Sequence, residues 1–196
     1  MPLRAHGYRE ESPHLNFMGD QYPEPDLDRL ESLKKVVAGV KPPLSRDIVE
    51  MAAMGMGYIE HMTLQGKQPM PQVTFMKNGK IGLLATEFLD KCPGDMDKEQ
   101  FAAVIKNLRN DCEIVVFGHE AWMTVLKKEE YERGDCPRPR DDPKRKEAGL
   151  VQVWSKGRHL MFLSEISRNP TRFDTWKLNY DSADAQDKEK PEGRFT

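Results

Sequence analysis

The sequence predicts an α+β protein in which two or three helices pack against a mostly antiparallel, five-stranded sheet. Two hairpin signals, Asn78-Gly79 and Ser155-Lys156-Gly157, each separate a pair of short apolar segments. The nearly continuous apolar run from Cys112 to Phe117 is typical of a central strand that is buried on both faces. Helical and extended patterns do not alternate often enough for a doubly wound parallel sheet.

The helices are predicted from the spacing of apolar residues. The first runs from Asp26 to Ala38. The second begins after Ser45, whose hydroxyl group is suited to cap a helix, and it contains Gly55 and Gly57. Glycine inside a helix is unfavourable, so this pair predicts either a kink or a close crossing with another element. A third helix should end near residue 110 and lie across one face of the sheet.

Five strands are predicted from alternating or continuous apolar segments bounded by turn residues. They are Pro71–Lys77, Ile81–Phe88, Cys112–Phe117, Gly149–Trp154 and Arg158–Ile166. The segment between the third and fourth strands, residues 127–147, is rich in charge and proline and is predicted to be a long loop.

The length and the distribution of charge predict one domain with polar ends. The 196 residues carry a net charge of only −2, and about 150 residues per domain is usual. We expect a polar N-terminal arm over residues 1–25, an α+β domain over residues 26–170, and a polar C-terminal tail over residues 171–196 that is partly disordered.

Composition excludes several classes of protein. No apolar run approaches the roughly 20 residues that span a bilayer, and the N-terminus lacks the apolar region of a secretory signal. Three cysteines without a Cys-x-x-Cys pair do not indicate a zinc ribbon or a thioredoxin-type site. A pI near 6.2 argues against a general nucleic-acid-binding protein. We therefore expect a cytoplasmic protein without a membrane partner.

One cluster has the residue types of a catalytic or metal site. His119 and Glu120 follow the central strand, where His119 is a candidate general base or metal ligand and Glu120 a candidate base or orienting group. Glu87 and Glu165, late in two other strands, would complete a divalent-metal site if the strands are neighbours. The competing interpretation is structural, because adjacent residues of an extended strand point to opposite faces.

Other segments suggest contact with a partner chain. Methionine suits adaptable contact surfaces, and the second helix contains four methionines, at positions 51, 54, 56 and 62. Its apolar stripe is expected to belong to the core, and Met54 and His61 lie off this stripe. The candidate interaction residues are Met54, Met56 and His61 of this helix, and Arg138, Arg140, Lys144 and Arg145 of the charged loop. The loop also interleaves acidic residues and lacks an aromatic residue among its cations, so nucleic-acid binding through residues 138–146 is disfavoured.

About 40 residues resemble a known group of proteins. Residues 114–123 form a strand that ends in Glu120-Ala121-Trp122, and residues 142–153 lead from Asp142-Pro143 through Arg145 and Glu147 into another strand. This pattern resembles a group of small uncharacterised bacterial and phage proteins, in which Ser commonly stands where this chain has His119. The resemblance implies the two strands and no activity. We expect Trp122 to pack beside the strand end, and Arg145 or Lys144 to pair with Glu120.

The sequence thus favours a small non-enzymatic factor that binds another protein or itself and needs no cofactor. The alternative is a metal-dependent hydrolase or nuclease that uses His119, Glu120, Glu87 and Glu165 around a divalent metal ion. The two hypotheses differ in geometry, because the second requires these side chains to converge in one concave pocket.

Overall fold

The computed structural model describes residues 15–17, 27–84, 95–124, 133–134 and 141–183. The helices in this part of the chain are α1 (Leu27–Val37), α2 (Arg46–Leu64) and α3 (Asp95–Asp111). The strands are β1 (Leu15–Phe17), β2 (Gln72–Lys77), β3 (Lys80–Leu84), β4 (Ile114–Met123), β5 (Lys146–Ser155), β6 (Arg158–Arg168), β7 (Thr171–Phe173) and β8 (Lys177–Asp181). The predicted α+β class with an antiparallel sheet is confirmed.

All the strands belong to one antiparallel sheet with the order β1-β3-β2-β4-β5-β6-β7. Strand β8 also pairs with β6, so β7 and β8 lie one after the other along the same edge and eight strands fill seven positions. The predicted number of five strands is wrong. The missed strands have three or five residues, which is too short for an alternating apolar pattern to be recognised.

The local signals for helix starts and turns agree with the structure. The Ser45 hydroxyl accepts a hydrogen bond from the Ile48 N–H at the start of α2. The turn between β2 and β3 has positive φ at both central residues, 53° at Asn78 and 68° at Gly79, as a type I′ turn requires. Lys156 and Gly157 have φ of 46° and 79° in the β5–β6 turn. These turns fix the register of both hairpins.

The sheet extends into both predicted polar ends of the chain. Strand β1 lies within the predicted arm, and β7 and β8 lie within the predicted tail. Trp176, between β7 and β8, is buried in the core. The remainder of the arm, and the tail after residue 183, lie outside the described residues.

Helices pack on both faces of the sheet, over different strands. On the face that we call the α2 face, α1 and α2 cover β4, β5 and β6 around a core that includes Met56, Val116 and Phe162. On the opposite face, which we call the α3 face, α3 packs against β2 and β4 around Phe101 and Phe117. Strand β4 therefore has its first four residues buried from both sides, as its apolar sequence predicts.

Helix α2 crosses the sheet closely, and glycine permits this approach. A Cβ atom on Gly55 would lie 3.3 Å from Cγ1 of Val116, and one on Gly118 would lie 3.3 Å from Cδ1 of Ile59. Of the two alternatives for the helix glycines, the close crossing is observed at Gly55. The crossing brings the C-terminal turn of α2 next to the end of β4.

None of the described helices is long and apolar enough to span a membrane.

Candidate functional site

His119 and Glu120 lie on opposite faces of the sheet. Both belong to β4, which continues to Met123 instead of ending at Phe117. The His119 ring stacks on Phe117 on the α3 face, with ring centroids 4.6 Å apart. The Glu120 carboxylate accepts a hydrogen bond from the Thr63 hydroxyl group of α2. The structure therefore does not bring these two candidate catalytic side chains together.

His119 presents one ring nitrogen as an unpaired acceptor. Its Nδ1 lies 2.9 Å from the backbone carbonyl oxygen of Glu120, and a carbonyl only accepts, so the proton is on Nδ1. Burial lowers the pKa of His119, which keeps the ring neutral at neutral pH. Nε2 is then a buried acceptor without a hydrogen-bond partner. The tautomer suits a metal ligand, but a complete site needs further ligands.

The proposed carboxylate ligands do not complete such a site in the described residues. Glu165 is opposite Ala148 on β5, two strands from β4, and its two oxygens lie 2.7 and 2.9 Å from the Lys146 ammonium nitrogen. Glu87 lies outside the described residues. Within residues 27–84, 95–124 and 141–183, no group of three or more His, Cys, Asp or Glu side chains is placed to hold a metal ion.

Glu120 instead faces an open cleft of about 580 Å³ on the α2 face, which we call the Glu120 cleft. The loop after α2 and the adjacent ends of β4, β5 and β6 form it. The lining residues are Gly66, Lys67, Gln68, Glu120, Ala121, Trp122, Glu147 and Arg168. Clefts of this size with a few convergent polar groups are the default candidates for a binding site.

Arg168 holds the two carboxylates of the cleft together. Its Nε donates to Glu147, and its Nη2 lies 3.2 and 3.3 Å from the two carboxylate oxygens of Glu120. Although burial alone would lower the pKa of Arg168, the hydrogen bonds and charges of these two carboxylates raise it. Both carboxylates are therefore engaged in ion pairs, and Glu120 is additionally bound by Thr63. This arrangement fixes side chains in place and leaves neither carboxylate free as a base.

Trp122 forms the rim of the cleft and carries an arginine on its ring. The indole is 48% exposed, and the guanidinium carbon of Arg145 lies 4.2 Å from the ring centroid. Arg145 is positioned by a turn in which Asp142 Oδ1 accepts from the Lys144 N–H at 2.8 Å and the Asp142 carbonyl accepts from the Arg145 N–H at 3.1 Å. The cation–π contact holds an exposed aromatic ring in one orientation.

The predicted ion-pair partner of Glu120, Arg145 or Lys144, is therefore wrong. Arg168 pairs with Glu120, while Arg145 stacks on Trp122. Arg168 was missed because the apolar pattern of β6 ends at Ile166, two residues before the strand does. Strand alternation gives a signal that would have found it, since Arg168 falls on the same face as Ile166. Thr63 carries a similar signal, because it is one helical turn after the buried Ile59.

The residues predicted to form an interaction surface are only partly exposed. Met56 is fully buried in the α2-face core, so its assignment to an interaction surface is wrong. Helix α2 packs against both the sheet and α1, which makes its buried stripe wider than a single face. Met54 is half-buried, and His61 is exposed with a ring nitrogen 2.9 Å from Nε2 of Gln65. Lys144 and Arg145 are exposed, and Arg138 and Arg140 lie outside the described residues.

A second cleft, of about 530 Å³, lies between α1, α2 and the segment that joins β7 to β8. Glu60 lines this cleft and accepts hydrogen bonds from Arg29 and from the indole N–H of Trp176. Gly149 lies under Trp176, where a Cβ atom would be 2.8 Å from Cη2 of the indole. These contacts connect α1 and the β7–β8 segment to α2, and the β7–β8 segment to β5 of the sheet. We assign them a structural role.

No protein-family model, curated protein or solved structure matches this chain.

Proposed function

We propose that this chain is a non-enzymatic binding factor that holds a partner protein in the Glu120 cleft, with Trp122 as the principal contact. The observation that carries the proposal is a half-exposed indole, fixed by Arg145 at the rim of an open cleft. Tryptophan and arginine are, with tyrosine, enriched among the residues that dominate protein–protein binding energy. A ring that is already held in place loses little conformational entropy on binding.

The charges of the cleft support binding more than catalysis. A general base or nucleophile needs a carboxylate that is free to accept a proton or attack a substrate. Glu120 and Glu147 share the Arg168 guanidinium, and Glu120 also accepts from Thr63. Fixed ion pairs at a cleft instead provide orientation and specificity for a partner.

The hydrolase alternative is less well supported. It needs His119 and Glu120 in one pocket, and the two side chains lie on opposite faces of the sheet. The unpaired Nε2 of His119 is the one observation in its favour among the described residues. Metal content measured on protein purified without chelator tests this alternative, and a stoichiometric metal ion lost in His119→Gln would support it.

The proposed function is tested by affinity capture from the cells that express the protein, with quantitative mass spectrometry and with and without EDTA. The bait proteins are the wild type, Trp122→Ala, and the control Leu27→Ala. Leu27 is also a large exposed apolar residue, 74% exposed, but it does not line the cleft.

We expect a stoichiometric partner with the wild type and with Leu27→Ala, and at least tenfold less of it with Trp122→Ala. EDTA should not change the amount. Equal capture by Trp122→Ala, with an unchanged melting temperature, would contradict the proposal. Loss of the partner in EDTA would instead indicate a metal-dependent association.

A further inference from the structure

We infer that the α3 face carries a second binding site, which takes the phosphate or carboxylate group of a small ligand. The site is a surface cluster of four side chains, which we call the Arg109 patch. Its members are Arg109, Trp154, His159 and Tyr180. The patch shares no residue with the Glu120 cleft, so either site can exist without the other.

Four elements meet at the Arg109 patch. Arg109 lies in the last turn of α3, Trp154 near the end of β5, His159 at the start of β6 and Tyr180 in β8. The rings of Trp154 and His159 are stacked with centroids 4.9 Å apart, and the Tyr180 ring meets His159 edge-on at 5.4 Å. Trp154 is opposite Val115 at the start of β4, so the patch and the Glu120 cleft are at opposite ends of this strand.

Arg109 carries a positive charge that its surroundings leave uncompensated. Its side chain is exposed, and its guanidinium carbon lies 4.9 Å from the centroid of the Trp154 ring. Partial burial lowers the pKa of Arg109, and no carboxylate of the described residues offsets this effect. A partly buried charge is unfavourable without a counter-ion. The guanidinium fork is suited to bind the oxygens of a carboxylate or a phosphate.

Trp154 is a second donor in the patch that lacks an acceptor. Its side chain is 95% buried, and its indole nitrogen has no hydrogen-bond partner within the described part of the chain. The indole N–H can only donate, and buried donors in folded proteins are almost always paired. Arg109 therefore lacks a negative charge, and Trp154, which it contacts, lacks an acceptor. An oxyanion supplies both.

The charges of the patch favour a small ligand. Nucleic acids and other polyanions bind through several cations, each of which contacts one phosphate. Arg158, which is next to His159 in sequence, is already paired with Asp181. Arg109 is thus the one cation of the patch, and it matches a single anionic group. The half-buried rings of His159 and Tyr180 provide apolar surface for the remainder of the ligand.

The test is an NMR titration of the full-length, ¹⁵N-labelled protein at pH 7, in which inorganic phosphate or acetate replaces chloride at constant ionic strength. The signal followed is the indole N–H of Trp154. The proteins are the wild type, Arg109→Gln, Arg109→Lys and the control Arg172→Gln. Arg172 is an exposed arginine of β7, which pairs with the opposite end of β6 from His159.

We expect a saturable shift of the Trp154 signal in the wild type and an equal affinity in Arg172→Gln. The affinity should fall at least tenfold in Arg109→Gln, and less in Arg109→Lys, which keeps the charge. The anion that binds more tightly identifies the group as a phosphate or a carboxylate. A shift that does not saturate with either anion, or an equal affinity in Arg109→Gln, would overturn the inference.

His159 provides a second readout, because the charge of Arg109 acts on it. Burial, followed by this charge, lowers the pKa of His159 to about 4. A bound anion offsets the charge of Arg109, so saturating phosphate should raise the pKa of His159 in the wild type. In Arg109→Gln the pKa should already be higher, and phosphate should not change it. A wild-type His159 pKa that is the same with and without phosphate would also overturn the inference.

Discussion

At the scale of single residues, Arg168 organises the candidate site. Its guanidinium group joins Glu120 of β4 to Glu147 of β5 at the end of the sheet. Glu120 and Trp122 were recognisable from sequence because they follow an apolar strand and belong to a local motif. Arg168 was not, because it stands outside the apolar pattern and 48 residues from Glu120 in sequence. A contact of that separation depends on strand order, which local patterns do not determine.

His119 shows how a small error in a strand boundary changes a functional interpretation. The apolar pattern ends at Phe117, which suggests that His119 and Glu120 are at a strand end. Pairing with β5 continues to Met123, so both residues lie within a strand and alternate between its faces. The structural interpretation of the His119–Glu120 pair expects adjacent strand residues to point to opposite faces, and the register of β4 with β5 supports it.

His159 makes a testable contribution to stability that depends on pH. Its ring stacks on Trp154 with centroids 4.9 Å apart, and its Nε2 lies 3.2 Å from Oε1 of Gln152. Burial, followed by the positive charge of Arg109, lowers the pKa of His159 to about 4. In the unfolded chain the pKa is about 6.5. The contribution to stability is therefore complete above about pH 6.5 and is lost as the pH falls towards about 4.

The measurement is the melting temperature at pH 7 and pH 5 for the wild type, His159→Phe and Met161→Leu. Phenylalanine retains an aromatic ring against Trp154 but does not titrate, so the fall in melting temperature between the two pH values should be smaller. Burial also lowers the pKa of His119, so His119 should preserve part of the pH-dependent fall in melting temperature in His159→Phe. Met161→Leu changes a neighbouring non-titrating residue of β6 and should behave as the wild type. An equal fall in His159→Phe would show that His159 is not responsible.

At the scale of elements, glycine decides how closely the layers approach. Gly149 of β5 lies beneath the rings of Trp176 and Phe173, with a virtual Cβ 2.8 and 3.2 Å from their nearest ring atoms. Because both rings are rigid, Gly149→Ala should destabilise the fold by about 1–3 kcal/mol. Urea unfolding measures this difference in free energy.

Gly39→Ala is the matched control for that measurement. Nothing lies within 4 Å of a Cβ atom placed on Gly39, which is in the loop after α1. The change should therefore stay within about 0.5 kcal/mol of the wild type. A Gly149→Ala protein as stable as Gly39→Ala would mean that the Trp176 segment does not pack on β5 as described.

The helices and the long strands were predictable because each carries its own pattern. Helix α2 has an N-cap, an apolar stripe and two glycines, and it runs from Arg46 to Leu64 close to the prediction. Strands β1, β7 and β8 carry no comparable signal. They are held by pairing with β3 and β6, so their formation depends on neighbours that are distant in sequence or already folded.

At the scale of the whole molecule, the fold assembles the Glu120 cleft from elements that are distant in sequence. The close crossing of α2 delivers Thr63 and Lys67 to the end of β4, and the β4–β5–β6 register places Trp122, Glu147 and Arg168 beside them. Of the eight lining residues, the sequence analysis named Glu120 as a candidate site residue and expected Trp122 to pack beside the strand end. The rest follows from the direction of α2 over the sheet, which is a property of the fold.

The central claim is that the Glu120 cleft is where a partner protein binds, and site-specific photocrosslinking in the expressing cells tests it most directly. The photoreactive amino acid p-benzoylphenylalanine replaces Gln68, an exposed residue that lines the cleft, or Lys156, an exposed residue in the β5–β6 turn. We predict a crosslink to one major protein from position 68, reduced when Trp122→Ala is added, and none from position 156. Crosslinking from position 156 alone, or from position 68 without dependence on Trp122, would contradict the account.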